Sequence, residues 1–228
     1  MAIGQEHTVK AFDLDIGELR GLIGQMGGVA EQAIADAIAA LQHGDLDLAQ
    51  RVREGDKALD ALELEVERNA VRIIALRAPL ANDLREVVAA LKIAGVVERI
   101  GDYAKNIAKR VPMIESGSRI EPLSTLAAMA RMASGMVHDV LNAFAARDAD
   151  AAREVCARDD ALDDFYDSIF RTLVTYMVEN PRTISQVAHL LFVAKNLERI
   201  GDHATNVAEM VYFAATGTRL GDREKVTN

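Results

Sequence analysis

Hydrophobic side chains recur at three- and four-residue steps in Phe12, Ile16, Leu19, Ile23, Met26, Ala30, Ala33, Ala37 and Leu41. The same rhythm returns in Leu126, Ala130, Ala133, Val137, Val140 and Phe144. This is the spacing of helices that bury one face. Ile93, Val97, Ile100, Ala104 and Ile107 form a further stripe, and Val193, Leu197, Ile200, Ala204 and Val207 copy it. Between these segments, "REGDKALDALELEVERNAVRIIALRAP" from Arg53 has its counterpart in "ARDDALDDFYDSIFRTLVTYMVENP" from Ala157, each ending at a proline, Pro79 or Pro181. Turn chemistry interrupts the rhythm at "HGD", "RAPLAND", "VPMIESGSRIEP", "ARDAD" and "ENPR". The pattern predicts six helices, three per half, with the boundary in the longest connector: residues 1–115 form one unit and 116–228 the other. The polar tail from Gly217 is expected to fray.

Composition narrows this to an all-α fold. Half of the 228 residues are hydrophobic, only 4% are aromatic, and there are four prolines, a balance that suits packed helices better than sheets. A formal charge of −9, with basic residues scattered among acids, excludes a nucleic-acid footprint. It suits cations or basic protein patches instead. The one cysteine, Cys156, excludes an internal disulfide and a thiol zinc cluster. The opening residues lack the layout of a signal peptide and no apolar run reaches membrane-spanning length. The expected location is the cytoplasm, with membrane association only through a partner.

Candidate chemistry lies in "ERIGDYAKNIAKR" at 98–110 and "ERIGDHATNVAEM" at 198–210. Glu98 and Asp102, with Asn106, share a helix face, as do Glu198 and Asp202. Carboxylates at i and i+4 repel unless a cation or proton intervenes. Leu84, Val88 and Leu91 precede Glu98 on that face, and a face that begins apolar is covered by something. Counting outward from Pro79 and Pro181, an antiparallel hairpin brings Asp56 and Asp60 level with the first pair, and Asp159 and Asp163 level with the second. Such oxygen-only clusters suit Mg²⁺, Mn²⁺, iron or zinc. A solvated acidic face, or a groove for a basic partner, accounts for the same residues.

Other residues carry less. His203 points away from Asp202 by about 100°, and His138 and His189 lack partner spacing. His7 and His43 lie near helix ends. Cys156 has no nearby base, and "GQMGG" at 24–28 lacks the lysine and hydroxyl of a phosphate loop. These glycines read as close helix packing. Arg99 and Arg199 read as local ion-pair partners, and Gly101 and Gly201 as points of close approach.

Both "ERIGD" copies, their "NIAKR" and "NVAEMVY" continuations, "LRAPLANDLREVVAALKIAGVVERIGDYAKNIAKR" and "HTVKAFDLDIGELRGLI" resemble the phosphate-transport regulatory family, PhoU. The resemblance covers nearly the whole chain. It implies two tandem pseudo-symmetric three-helix bundles, each with an acidic metal motif: Glu98 and Asp102, Glu198 and Asp202, faced by Asp56, Asp60, Asp159 and Asp163. Asn106, Asn206 and Glu209 would support them. Iron, zinc, manganese and magnesium are the metals the resemblance suggests. It further implies a non-enzymatic adaptor, expected to be a homodimer, between the phosphate ABC transporter ATPase and a sensor histidine kinase, holding the starvation response off when phosphate is abundant. Lys109 stands where Glu209 stands in the second copy, so the second site is expected to be the more acidic. A carboxylate-bridged metal hydrolase or oxidase, and a purely structural scaffold, are the alternatives.

Overall fold

The computed structural model describes residues 2–114 and 122–220, with side chains over 12–114 and 123–220. Among them there is no strand. The helices are α1 (Ala2–His43), α2 (Leu46–Arg77), α3 (Asn82–Ala108), α4 (Pro122–Ala146), α5 (Ala149–Cys156), α6 (Asp159–Glu179) and α7 (Ile184–Thr216), with short 3-10 turns at Val111–Met113 and Pro181–Thr183. The first three pack on one another, α4 to α7 repeat that arrangement, and the two sets meet along α3 against α7 and α1 against α4. The apolar stripes read from the sequence all turn inward into one continuous core.

The turns that open α2 and α5 have local causes. Gly44 ends α1 at φ 64°, the left-handed conformation that glycine adopts without strain. Asp45 then caps α2 by accepting from the Leu48 amide at 2.8 Å. In the second half Asp148 caps α5, accepting from the Asp150 and Ala151 amides at 3.0 Å each. Ahead of it, Arg147 takes the left-handed position at φ 55°. Its guanidinium joins Arg20 on the buried Glu86 carboxylate, where Arg20 Nε donates at 2.6 Å. One acid on α3 thus ties α1 to the turn after α4. Of the glycines in "GQMGG", Gly27 carries the expected packing, since a Cβ there would strike Leu141 of α4, while Gly24 and Gly28 face open space.

The second half departs from the expected three helices in one respect, because its middle helix is two, α5 and α6, broken at Ala157 and Arg158. Arg158 reaches back to Asp139 of α4, Nη1 to Oδ2 at 2.5 Å. Asp159 and Asp160 then open α6, where unpaired amides and the helix dipole favour acids. Residues 115–121 of the connector, and the tail from Gly221 onward, lie outside the described residues.

Candidate metal centre

The α2/α3 hairpin is closed by a leucine against a glycine. A Cβ on Gly101 would strike Leu59 Cδ1 and lie 3.9 Å from Asp56 Oδ1. On the α6/α7 hairpin, a Cβ on Gly201 would strike Leu162 Cδ2 and lie 3.8 Å from Asp159 Oδ1. Each glycine, costly within a helix by about 1 kcal/mol, lets the two helices approach where their acids stand level. Burial, followed by the charges of Asp102, Glu63, Asp60 and Asp56, raises the pKa of Glu98. Those five carboxyls share one field. Glu63, three residues beyond Asp60 on the same face of α2, also reaches toward α3: a Cβ on Gly95 would lie 3.2 Å from Glu63 Oε1.

In this first cluster a cation is already present. Lys105 Nζ bonds to Asp56 and donates to Asp102 Oδ1 at 3.2 Å, so the ammonium spans α2 and α3. The Asp56 side chain is 7% exposed. The bond to Asp56 is the main influence holding the Lys105 pKa above its usual value.

The second cluster is arranged otherwise. Asp163, Glu198 and Asp202 each offer an oxygen, and these oxygens lie within 4.8 Å of one another. Oxygens bound to one divalent ion at about 2.0 to 2.6 Å stand no more than about 5 Å apart, so the trio has the span of a ligand set. Lys195 Nζ donates to Glu198 Oε1 at 2.5 Å, and Glu198 Oε2 is buried without a hydrogen-bond partner. Asp159 Oδ1 is likewise buried and unpartnered. Burial, then the charges of Asp163, Asp202, Asp160 and Glu198, push the Asp159 pKa up to about 6. Asp163 is raised mainly by burial, with Glu198 next. Converging, underbonded carboxylates fit a hard or intermediate divalent ion. Bound there, it would neutralise the acids and fasten α6 to α7.

The remaining candidates stand apart. Asn106 accepts from Lys109 Nζ at 3.0 Å, while Asn206 and Glu209 line a groove between α3 and α7 with Leu84, Arg85 and Phe213. His203 packs edge-on against Tyr103, ring centres 5.2 Å apart, where the two halves cross. Arg199 lies over that tyrosine ring at 5.9 Å; the local ion pair expected of it gives way to a contact across the seam. His138 lies 3.3 Å from Glu31 of α1. Burial raises the Cys156 thiol to about 11, which keeps it protonated and unreactive. Among the described residues no helix is long and apolar enough to cross a membrane.

The family model described as PhoU domain matches residues 23–111 and again 126–211. A Zymomonas mobilis protein named phosphate-specific transport system accessory protein PhoU homolog is 55% identical over 219 residues, 96% of this chain and 92% of that one. The crystal structure of PhoU from Pseudomonas aeruginosa superposes with a TM-score of 0.86 at 38% identity, over 91% of this chain and 100% of the other. That of the phosphate transport system regulatory protein PhoU from Streptococcus pneumoniae gives 0.85 at 26% identity, covering 92% and 99%.

Proposed function

We propose that this chain, which belongs to the PhoU family, is a regulatory accessory protein of phosphate transport. In this reading it is a non-enzymatic cytoplasmic adaptor, dimeric, that couples the ATPase of the phosphate ABC transporter to a sensor histidine kinase. It thereby represses the starvation response while phosphate is abundant. The observation that carries the reading is the doubled PhoU domain, matched at 23–111 and 126–211 with an acidic hairpin in each copy. Both relatives named for phosphate transport align over more than nine-tenths of this chain. We take 1–115 and 116–228 as the two repeats.

The make-up of the second cluster supports a binding role over catalysis. Its converging groups are three carboxylates, and the neighbouring His203 is turned onto Tyr103, away from a general-base position. We assign Asp163, Glu198 and Asp202, with Asp159 beside them, as holders of a divalent cation. Rigid fastening of α6 to α7 would give a partner protein a fixed surface to read.

Deleting the gene tests the regulatory reading. A phosphate-starvation reporter is expected to switch on in phosphate-rich medium, and affinity-tagged full-length protein is expected to retain the transporter ATPase. A reporter that stays silent after deletion would overturn the proposal.

A further inference from the structure

Resting on that cation reading, we infer that the two hairpins differ in the cation they hold. Only the α6/α7 cluster takes a divalent ion, while the α2/α3 cluster carries its own cation, the ammonium of Lys105. The pair is nearly symmetric in its acids. Asp56, Asp60, Glu98 and Asp102 match Asp159, Asp163, Glu198 and Asp202. It is asymmetric in what surrounds them: Lys105 matches Thr205, Gly95 matches Lys195, and Glu63 matches Tyr166.

Net charge does not favour the second cluster: each holds one lysine, and Glu63 gives the first an extra acid. Position decides. Lys105 crosses from α3 to α2 and bonds to carboxylates of both helices, with its side chain 27% exposed. The counterparts of the second trio are Asp60, Glu98 and Asp102. The ammonium takes Asp102 from that set and draws it toward Asp56, and among the described residues those three oxygens do not converge as the second trio does. A divalent ion on that set would have to compete with the ammonium for Asp102 and tolerate a positive charge held beside it by the buried Asp56. Lys195 makes its carboxylate hydrogen bond on its own helix, to Glu198 three residues on, with its side chain 42% exposed; toward α6 it meets a ring in place of a carboxylate. It lies over the Tyr166 ring, 5.2 Å from the centroid, and engages one oxygen of Glu198 from the rim. Nothing equivalent spans α6 and α7 among the described residues. The Thr205 hydroxyl donates to the Asp202 backbone carbonyl at 2.7 Å, and the unpartnered Asp159 Oδ1 and Glu198 Oε2 remain.

Counting ions on the full-length protein by native mass spectrometry, after loading with Mn²⁺ and desalting, tests this. Wild type is expected to hold one ion per chain. Glu98→Gln with Asp102→Asn should leave that ion in place, and Glu198→Gln with Asp202→Asn should remove it. Lys105→Thr, which copies the second half into the first, should raise the count to two. Two ions on wild type would overturn the division while leaving the cation reading standing. So would a single ion lost with Glu98 and Asp102, or a count of one on Lys105→Thr. No ion on wild type or on Lys105→Thr would overturn both.

Discussion

Gly201 shows how much of the site depends on one missing methyl group. Its neighbour Leu162 is fully buried, so a Cβ at 201 has no free volume to push that leucine into. Gly201→Ala gains about 1 kcal/mol of helix propensity and meets an overpacking cost of about 1 to 3 kcal/mol. We expect a net loss of about 1 kcal/mol in denaturant unfolding, together with weaker Mn²⁺ binding as α6 is pushed outward. Asp159 gives a pH signature in metal-free protein. Its pKa rises from 3.8 to about 6 on folding, so the unfolded chain releases the proton first and stability falls as pH climbs through that window. Asp163 and Glu98 shift in the same direction. Asp159→Asn should therefore lose less stability than wild type between about pH 4 and about pH 6, read from urea midpoints in chelator; equal losses would contradict the assignment. Spacing alone exposed Glu98, Asp102, Glu198 and Asp202, because helical period fixes which residues share a face. Lys105, Lys195 and Glu63 stand three residues from Asp102, Glu198 and Asp60 on those same faces. They were not singled out, because period does not say where a long side chain ends: Asp56 and Tyr166, which the two lysines reach, lie on the neighbouring helix.

The helices and their breaks followed from periodicity and turn residues; within the breaks expected at "HGD" and "ARDAD" the structure makes Asp45 and Asp148 the caps of α2 and α5. The break between α5 and α6 did not. At it Arg158 pairs with Asp139 of α4, a tertiary contact with no local signal. The eight residues of α5 are too few to form a helix unaided, so its cap matters more than that of the long α2. Asp148→Ala should cost about 1 to 2 kcal/mol, measured by thermal or chemical denaturation, and exceed the cost of Asp45→Ala. Equal costs would mean that packing, and not the cap, holds α5.

Across the whole molecule, the halves share a core and a polar tie at Glu86, which is 5% exposed and faced by Arg20 and Arg147. Glu86→Ala would leave two guanidinium groups side by side without their acid. Because both guanidinium groups reach solvent, a loss of about 1 to 3 kcal/mol is expected from the charged hydrogen bonds, visible as a lower urea midpoint, and a change under about 0.5 kcal/mol would show the tie to be incidental. The doubling of the fold was plain from the repeated motif. Unequal clusters were expected from Lys109 standing where Glu209 does; that Lys105 bonds to acids of both α2 and α3 was not. The decisive measurement is phosphate-starvation reporter activity in phosphate-rich medium, at matched protein levels, in cells whose only gene copy carries Asp163→Asn, Glu198→Gln and Asp202→Asn. A reporter switched on there, as in the deletion, is the expected result if the α6/α7 cluster is the regulatory site. A reporter as silent as in wild type would contradict that assignment.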